Sequence, residues 1–143
     1  MRLNAARSTI RAEQVKAIYT TGHPDPSKIS PDNWNMDLHF LARPQAHRVQ
    51  LDLFYDYRTN AAQYDSWQAS LRERQPRTLI FWGQGDIFFT PEGGEAYLRD
   101  LPDAELVRLD SGHFAVEDNL ELIAGRIVRF FDTTVAGAPV SAE

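Results

Sequence analysis

The chain has 143 residues, 43% of them hydrophobic and 24% charged, the size and composition of one water-soluble domain. Its net charge of -5 and the lack of a Lys/Arg-rich run argue against a nucleic-acid partner. No apolar stretch approaches the roughly 20 residues of a membrane helix, so no membrane association is expected. Cysteine is absent, which removes disulfides, thiolate metal sites and cysteine nucleophiles together.

The N-terminal segment MRLNAARSTIRAEQ has basic residues but no apolar run behind them, so it is not a secretory signal. An amphipathic organellar presequence stays open, and a cytoplasmic location fits best. From Thr9 to Arg74 the pattern is helical, broken by Gly22, Pro24, Pro26 and Pro31 in TGHPDPSKISPDN. Ser30 before Pro31 has the chemistry of a helix start. Trp34, Leu38 and Leu41 follow at helical spacing, until Pro44 interrupts. The aromatic-rich stretch HRVQLDLFYDYRTNAAQYDSWQASLRER predicts two short helices with a break near Thr59–Asn60.

The character changes at Gln75–Pro76. The run TLIFW (78–82) predicts a parallel strand covered on both faces. A helix from Thr90–Pro91 to about Arg99 and a second strand over 105–110 come next. After the loop SGHF, Asp118 is expected to open a helix in a capping box with Glu121, with Leu120, Ile123, Ile127 and Phe130 along one apolar stripe. The tail from Thr133 is expected to fray. This is a βαβα unit, and two parallel strands alone have bare edges and little area.

Two loops carry chemistry. WGQGD puts Asp86 just past the first strand, and DSGHF puts His113 just past the second. In open parallel sheets that edge is where ligands and catalytic groups collect. A carboxylate on one imidazole nitrogen fixes the tautomer and leaves the other nitrogen free as a base. Taken singly, an Asp in a Gly-flanked turn or a His in a loop is more often structural. Two of them at adjacent strand ends, each preceded by glycine, point to catalysis.

The segment RTLIFWGQGDIFFTPEGGEAYLRDLPDAELVRLDSGHFAVEDNLELIAGRIVRFF resembles the C-terminal part of α/β-hydrolase-fold enzymes, in which a P-x-L-x-x-W-G-x-x-D stretch carries the acid and a G-H-F/W stretch the histidine. The resemblance implies an α/β fold, with Asp86 as the acid and His113 as the base. Ile87 departs from the Asp-Pro common in relatives. The preceding half, with ISPDNWNMDL and QLDLFYDYRTN, looks like the cap of the epoxide-hydrolase and haloalkane-dehalogenase branch. The resemblance therefore implies a helical cap or lid-like segment over 1–75 and the C-terminal βαβα part of the core, an incomplete parallel sheet, over 76–132; the remaining 133–143 are the tail expected to be disordered.

In the family a nucleophile on an elbow such as G-x-S-x-G precedes the cap. This chain has no such motif, and its serines at 8, 27, 30, 66, 70, 111 and 141 occupy no strand-turn-helix elbow. The expectation is a C-terminal portion of a hydrolase that acts through a covalent ester, hydrolysed by water that His113 activates, with epoxides or haloalkanes as the substrate class. A serine esterase or lipase-like enzyme is the alternative. By resemblance, cap tyrosines would polarise an epoxide oxygen. Tyr55, Tyr57 and Tyr64 are the candidates, Tyr57 and Tyr64 sharing a face if their helix is continuous, although tyrosines among Leu, Phe and Trp are more often core. Trp34, Trp67 and Trp82 read as packing residues, and His23, His39 and His47 as surface or satisfied histidines without metal-ligand spacing. No cofactor or metal is expected. The partner would be a small-molecule substrate in the complete enzyme. A reading of another class is a non-catalytic binding or assembly module, or a truncated reading frame, which would self-associate through its strand edge.

Overall fold

The computed structural model of the protein describes residues 11–136. Helix α1 (Ala12–Thr20) is followed by a short 3-10 turn at Pro26–Lys28 and by α2 (Pro31–Leu41). Ser30 caps α2, its hydroxyl accepting from the amide of Asp32 at 3.3 Å, and Pro31 occupies the first helical position. The expected spacing on α2 is realised: Trp34, Leu38 and Leu41 pack on a small core of Val15, Tyr19 and Ile29. Ile29 is almost fully buried, which is worth about 1.5–3 kcal/mol relative to exposure. The loop at Pro44 ends on Gln45 in a left-handed conformation (φ 69°).

The aromatic stretch differs from the expected two helices. It forms α3 (Ala46–Asp56), a single turn α4 (Arg58–Ala61) and α5 (Tyr64–Arg74), so Thr59 and Asn60 lie inside a helical turn and the breaks fall at Tyr57 and at Ala62–Gln63. Side chains mark the first break by bonding to the freed carbonyls: Arg58 Nη1 donates to the carbonyl of Tyr55 at 2.6 Å and Thr59 Oγ1 to that of Asp56 at 2.8 Å. No Gly or Pro encodes these breaks.

Strand β1 (Leu79–Gly83) pairs in parallel with β2 (Glu105–Leu109), Leu79 opposite Glu105 and Gly83 opposite Leu109. Helix α6 (Pro91–Asp100) connects them and packs on β1, as does α7 (Val116–Ala136). The expectation that β1 is covered on both faces is not met. Leu79 to Trp82 stay half-buried because among the described residues the sheet has only these two strands. The stripe on α7 is likewise mostly open: Ile123 is buried, whereas Leu120 is 57% exposed. Helix α7 also starts earlier than expected. Asp118 sits in its first turn, with a kink at Asn119, and does not form the capping box. The helix runs through 133–136, and the rest of the expected tail, 137–143, lies outside the described residues. None of the described helices is long and apolar enough to cross a membrane.

Trp82 is a packing residue, as its sequence context suggested. Its indole nitrogen donates to the carbonyls of Phe89 and Thr90 at 2.9 and 3.1 Å, and its ring lies flat enough on α6 that a Cβ on Gly94 would come within 2.7 Å of it. The atoms met are Cδ2 and Cγ, at the base of the ring, which cannot swing aside. Gly94→Ala should therefore lower stability by about 1–3 kcal/mol despite its better helix propensity. Gly125→Ala, on α7 with no atom within 4 Å of a new Cβ, should instead raise it by roughly 0.5–1 kcal/mol. Urea unfolding of the two variants checks the opposite signs.

Candidate active site

Parallel pairing ends β1 and β2 on the same edge, and the two site loops leave from there. The strand ladder extends into them: the amides of Gln84 and Gly85 donate to the carbonyls of Leu109 and Ser111, each at 2.8 Å. Asp86 and His113, 27 residues apart, meet at this edge, with His113 Nδ1 2.9 Å from Asp86 Oδ2. The second carboxylate oxygen, Oδ1, accepts from the amides of Phe88 and Phe89 at 2.8 and 3.1 Å. This side-chain turn closes the loop without the proline that Ile87 replaces. Trp82 holds the far end of the same loop through Phe89 and Thr90. Both carboxylate oxygens are thus engaged, and the acid has little freedom to rotate.

Burial alone would push the Asp86 carboxyl up. The hydrogen bonds from His113 and from the amides of Phe89 and Phe88, with the charge of His113, outweigh it and hold the carboxyl below its usual value of 3.8. The anion is therefore the resident form at neutral pH. It fixes the proton of His113 on Nδ1 and leaves Nε2 with a lone pair. The ring is a quarter exposed and is bordered by Phe88, Phe89 and Phe114, with centroids 5.1, 5.5 and 4.9 Å away. An imidazole base oriented by a carboxylate and walled by aromatic rings can take a proton from water or from a hydroxyl.

The tyrosines separate. Tyr57 and Tyr64 are not on one continuous helix, yet the breaks on either side of α4 let their hydroxyls meet at 3.3 Å. The Tyr57 contact raises the pKa of Tyr64. Tyr55 does not join them; its ring carries the Arg58 guanidinium, 3.6 Å from the centroid. Trp67 packs edge-on against Tyr64 at 5.7 Å, and Trp34 lies 6.3 Å from Tyr19.

His23 is neither at the surface nor satisfied, which corrects the sequence expectation. Its imidazole is buried, with Nδ1 2.7 Å from Asp118 Oδ2 and 3.2 Å from Ser111 Oγ, while Nε2 has no hydrogen-bond partner among the described residues. Asp118 Oδ1 accepts from Ser111 Oγ at 2.6 Å and from Asn119 Nδ2 at 2.7 Å. Burial opposes the Asp118 charge, but these donors, Ser111 first and then His23 and Asn119, hold its pKa below 3.8. The Ser111 hydroxyl, fully buried, gives its proton to a carboxylate and is not a nucleophile. Sequence reading missed this cluster because its members are 88 and 95 residues apart. The flanking Gly22 and Pro24 were the local signs that His23 lay in a fixed turn. No group of three or more potential metal ligands occurs among the described residues.

The model of the alpha/beta hydrolase fold family matches residues 6–120. The chain belongs to that family. It is also similar to a Saccharomyces cerevisiae protein described as an uncharacterized hydrolase, with 34% identity over 113 residues, 79% of this chain. The matched stretch is 39% of the yeast protein's length, so the chain spans well under half of that relative.

Asp86 and Asp118 both have folded-state pKa values below 3.8. Under acid the unfolded chain then binds more protons than the native one. The stability they contribute is complete above the unfolded value and is lost as the pH falls through the folded ones. The thermal midpoint should drop between about pH 5 and pH 3, and less steeply in Asp86→Asn and Asp118→Asn than in the parent chain. Calorimetry across that range measures it.

Proposed function

We propose that this chain supplies the acid, the base and the cap of an α/β-hydrolase reaction that proceeds through a covalent ester. The observation that carries the reading is the 2.9 Å contact of His113 Nδ1 with Asp86, a carboxylate whose other oxygen is fixed by two amides. In this role Asp86 holds the Nδ1 proton and stabilises the imidazolium. Nε2 of His113 removes a proton from water, the resulting hydroxide attacks the ester carbonyl, and the imidazolium returns that proton to the departing alkoxide, which leaves as the product alcohol.

The nucleophile and the oxyanion donors would come from residues outside this sequence. Two features support that division. No elbow motif occurs in the chain. The described structure also leaves apolar faces open: Leu51, Leu53 and Phe54 on α3 are 60–76% exposed and Phe131 on α7 is 61% exposed. Surfaces of that kind are ordinarily covered by further protein.

Epoxides or haloalkanes are the favoured substrate class. The Tyr57–Tyr64 hydroxyl pair supports it, since two phenols 3.3 Å apart can both donate to one developing alkoxide. A serine esterase keeps the Asp86–His113 pair, but there His113 would first take the proton of the serine hydroxyl, and the water it then activates would release a carboxylic acid.

The 143-residue chain by itself should not hydrolyse an activated ester or styrene oxide above background. A chimera in which this chain replaces the matching stretch of the yeast relative should turn over. In that chimera His113→Ala should reduce turnover by about 10²–10⁴-fold and let the covalent ester accumulate on an Asp nucleophile, visible by mass spectrometry, whereas a Ser nucleophile would lose its activating base and form no ester. Turnover by the isolated chain, or a chimera indifferent to His113→Ala, would overturn the proposal.

A further inference from the structure

The turn Thr21–Gly22–His23, which links α1 to the following loop, lies against both strand-end loops at backbone contact. Gly22, in the left-handed region (φ 81°), faces Gly85, the residue before Asp86, so closely that a Cβ on either would run into the other's carbonyl oxygen. Gly112, the residue before His113, faces the carbonyl of Thr21 and the ring of His23; a Cβ there would lie 2.6 Å from His23 Cδ2 and 2.8 Å from Nε2. One turn therefore meets the residue immediately preceding each member of the pair. Three glycines make this approach possible, because any side chain would separate the loops by more than an ångström.

The turn is held in place by the His23 imidazole. Its Nδ1 proton is shared between Asp118 Oδ2 and Ser111 Oγ. Ser111 lies two residues before His113 and Asp118 five residues after it, so the ring bridges the chain on both sides of the base. The carboxylate it meets is buried and hydrogen-bonded on both oxygens. Deleting one donor from such a group costs more than an ordinary hydrogen bond. Phe114 adds a second tie, stacking on Tyr19 of α1 at 4.3 Å and bordering His113 on its other side.

We infer that the Thr21–His23 turn positions the Asp86–His113 pair, with His23 as a positioning residue that acts through Ser111, Gly112 and Asp118. The turn belongs to the helical half that precedes the sheet, so the placement of the base depends on how that half is seated. The inference rests on the proposed role of the pair and adds the element that sets its geometry. His23 itself touches no reacting atom.

The test is ¹⁵N-histidine NMR of the 143-residue chain, following solvent exchange of the His113 Nδ1 proton that Asp86 protects, with the unfolding midpoint measured in parallel. His23→Ala should speed that exchange by about tenfold or more, the scale set by one hydrogen bond to a charged group. His23→Asn should restore protection, because its carboxamide N–H reaches Asp118 from near the place of Nδ1. His23→Gln, whose amide extends towards the place of Nε2, should not. If His23→Ala proves too unstable, the contrast between Asn and Gln decides alone. Unchanged exchange in a folded His23→Ala or His23→Gln, equal effects of Asn and Gln, or no protected His113 proton in the parent chain would each overturn the inference. Because the readout needs no turnover, an inactive chimera with the Asn/Gln contrast intact would refute the catalytic reading and leave the positioning role standing.

Discussion

Parallel pairing of Leu79–Gly83 with Glu105–Leu109 places two chain segments, each leaving its strand through a glycine-containing loop, at one edge of the sheet. Everything at the site follows from that register. It lets Gly85 donate to Ser111 across the edge, and it brings a carboxylate and an imidazole to 2.9 Å without either loop reaching for the other. An antiparallel pairing would carry the second loop to the far end of the strand, about five residues or roughly 17 Å away. The close fit of backbone on backbone is why glycines crowd here, and why the loops keep their shape with so little buried apolar area beneath them.

Two carboxylates use the same physics for different ends. Asp86 and Asp118 each face a histidine Nδ1, each have a second set of donors, and each keep their charge against burial. The difference lies in what the ring does with its other nitrogen. His113 is a quarter exposed among three phenylalanines, and its Nε2 is open to a reactant. His23 is enclosed, and its Nε2 lies against Gly112 with no hydrogen-bond partner among the described residues. The chemistry of a His–Asp pair is set by access as much as by its hydrogen bond.

The open faces are the counterpart of this well-made edge. The small core at Val15, Tyr19 and Ile29 is buried, as are Leu101, Leu109 and Ile123. Much of α3 and α7 presents large apolar side chains outward, and β1 stays half-buried.

Much of this was legible in the sequence. Local rules found α2 through Ser30–Pro31, both strands to within a residue, and the change of character at Gln75, where the backbone does turn left-handed (φ 42°). They also marked Asp86 and His113, because the end of a parallel strand is a position that apolar runs and glycines encode. Tertiary structure alone decided the rest. The breaks around α4 carry no Gly or Pro, and they bring Tyr57 and Tyr64 together while Tyr55 goes to Arg58. Asp118 had the sequence of a helix cap, but burial beside His23 and Ser111 offered its charge better partners. His23 could not be singled out at all: a histidine shows its role only through neighbours, and its neighbours are some ninety residues away along the chain.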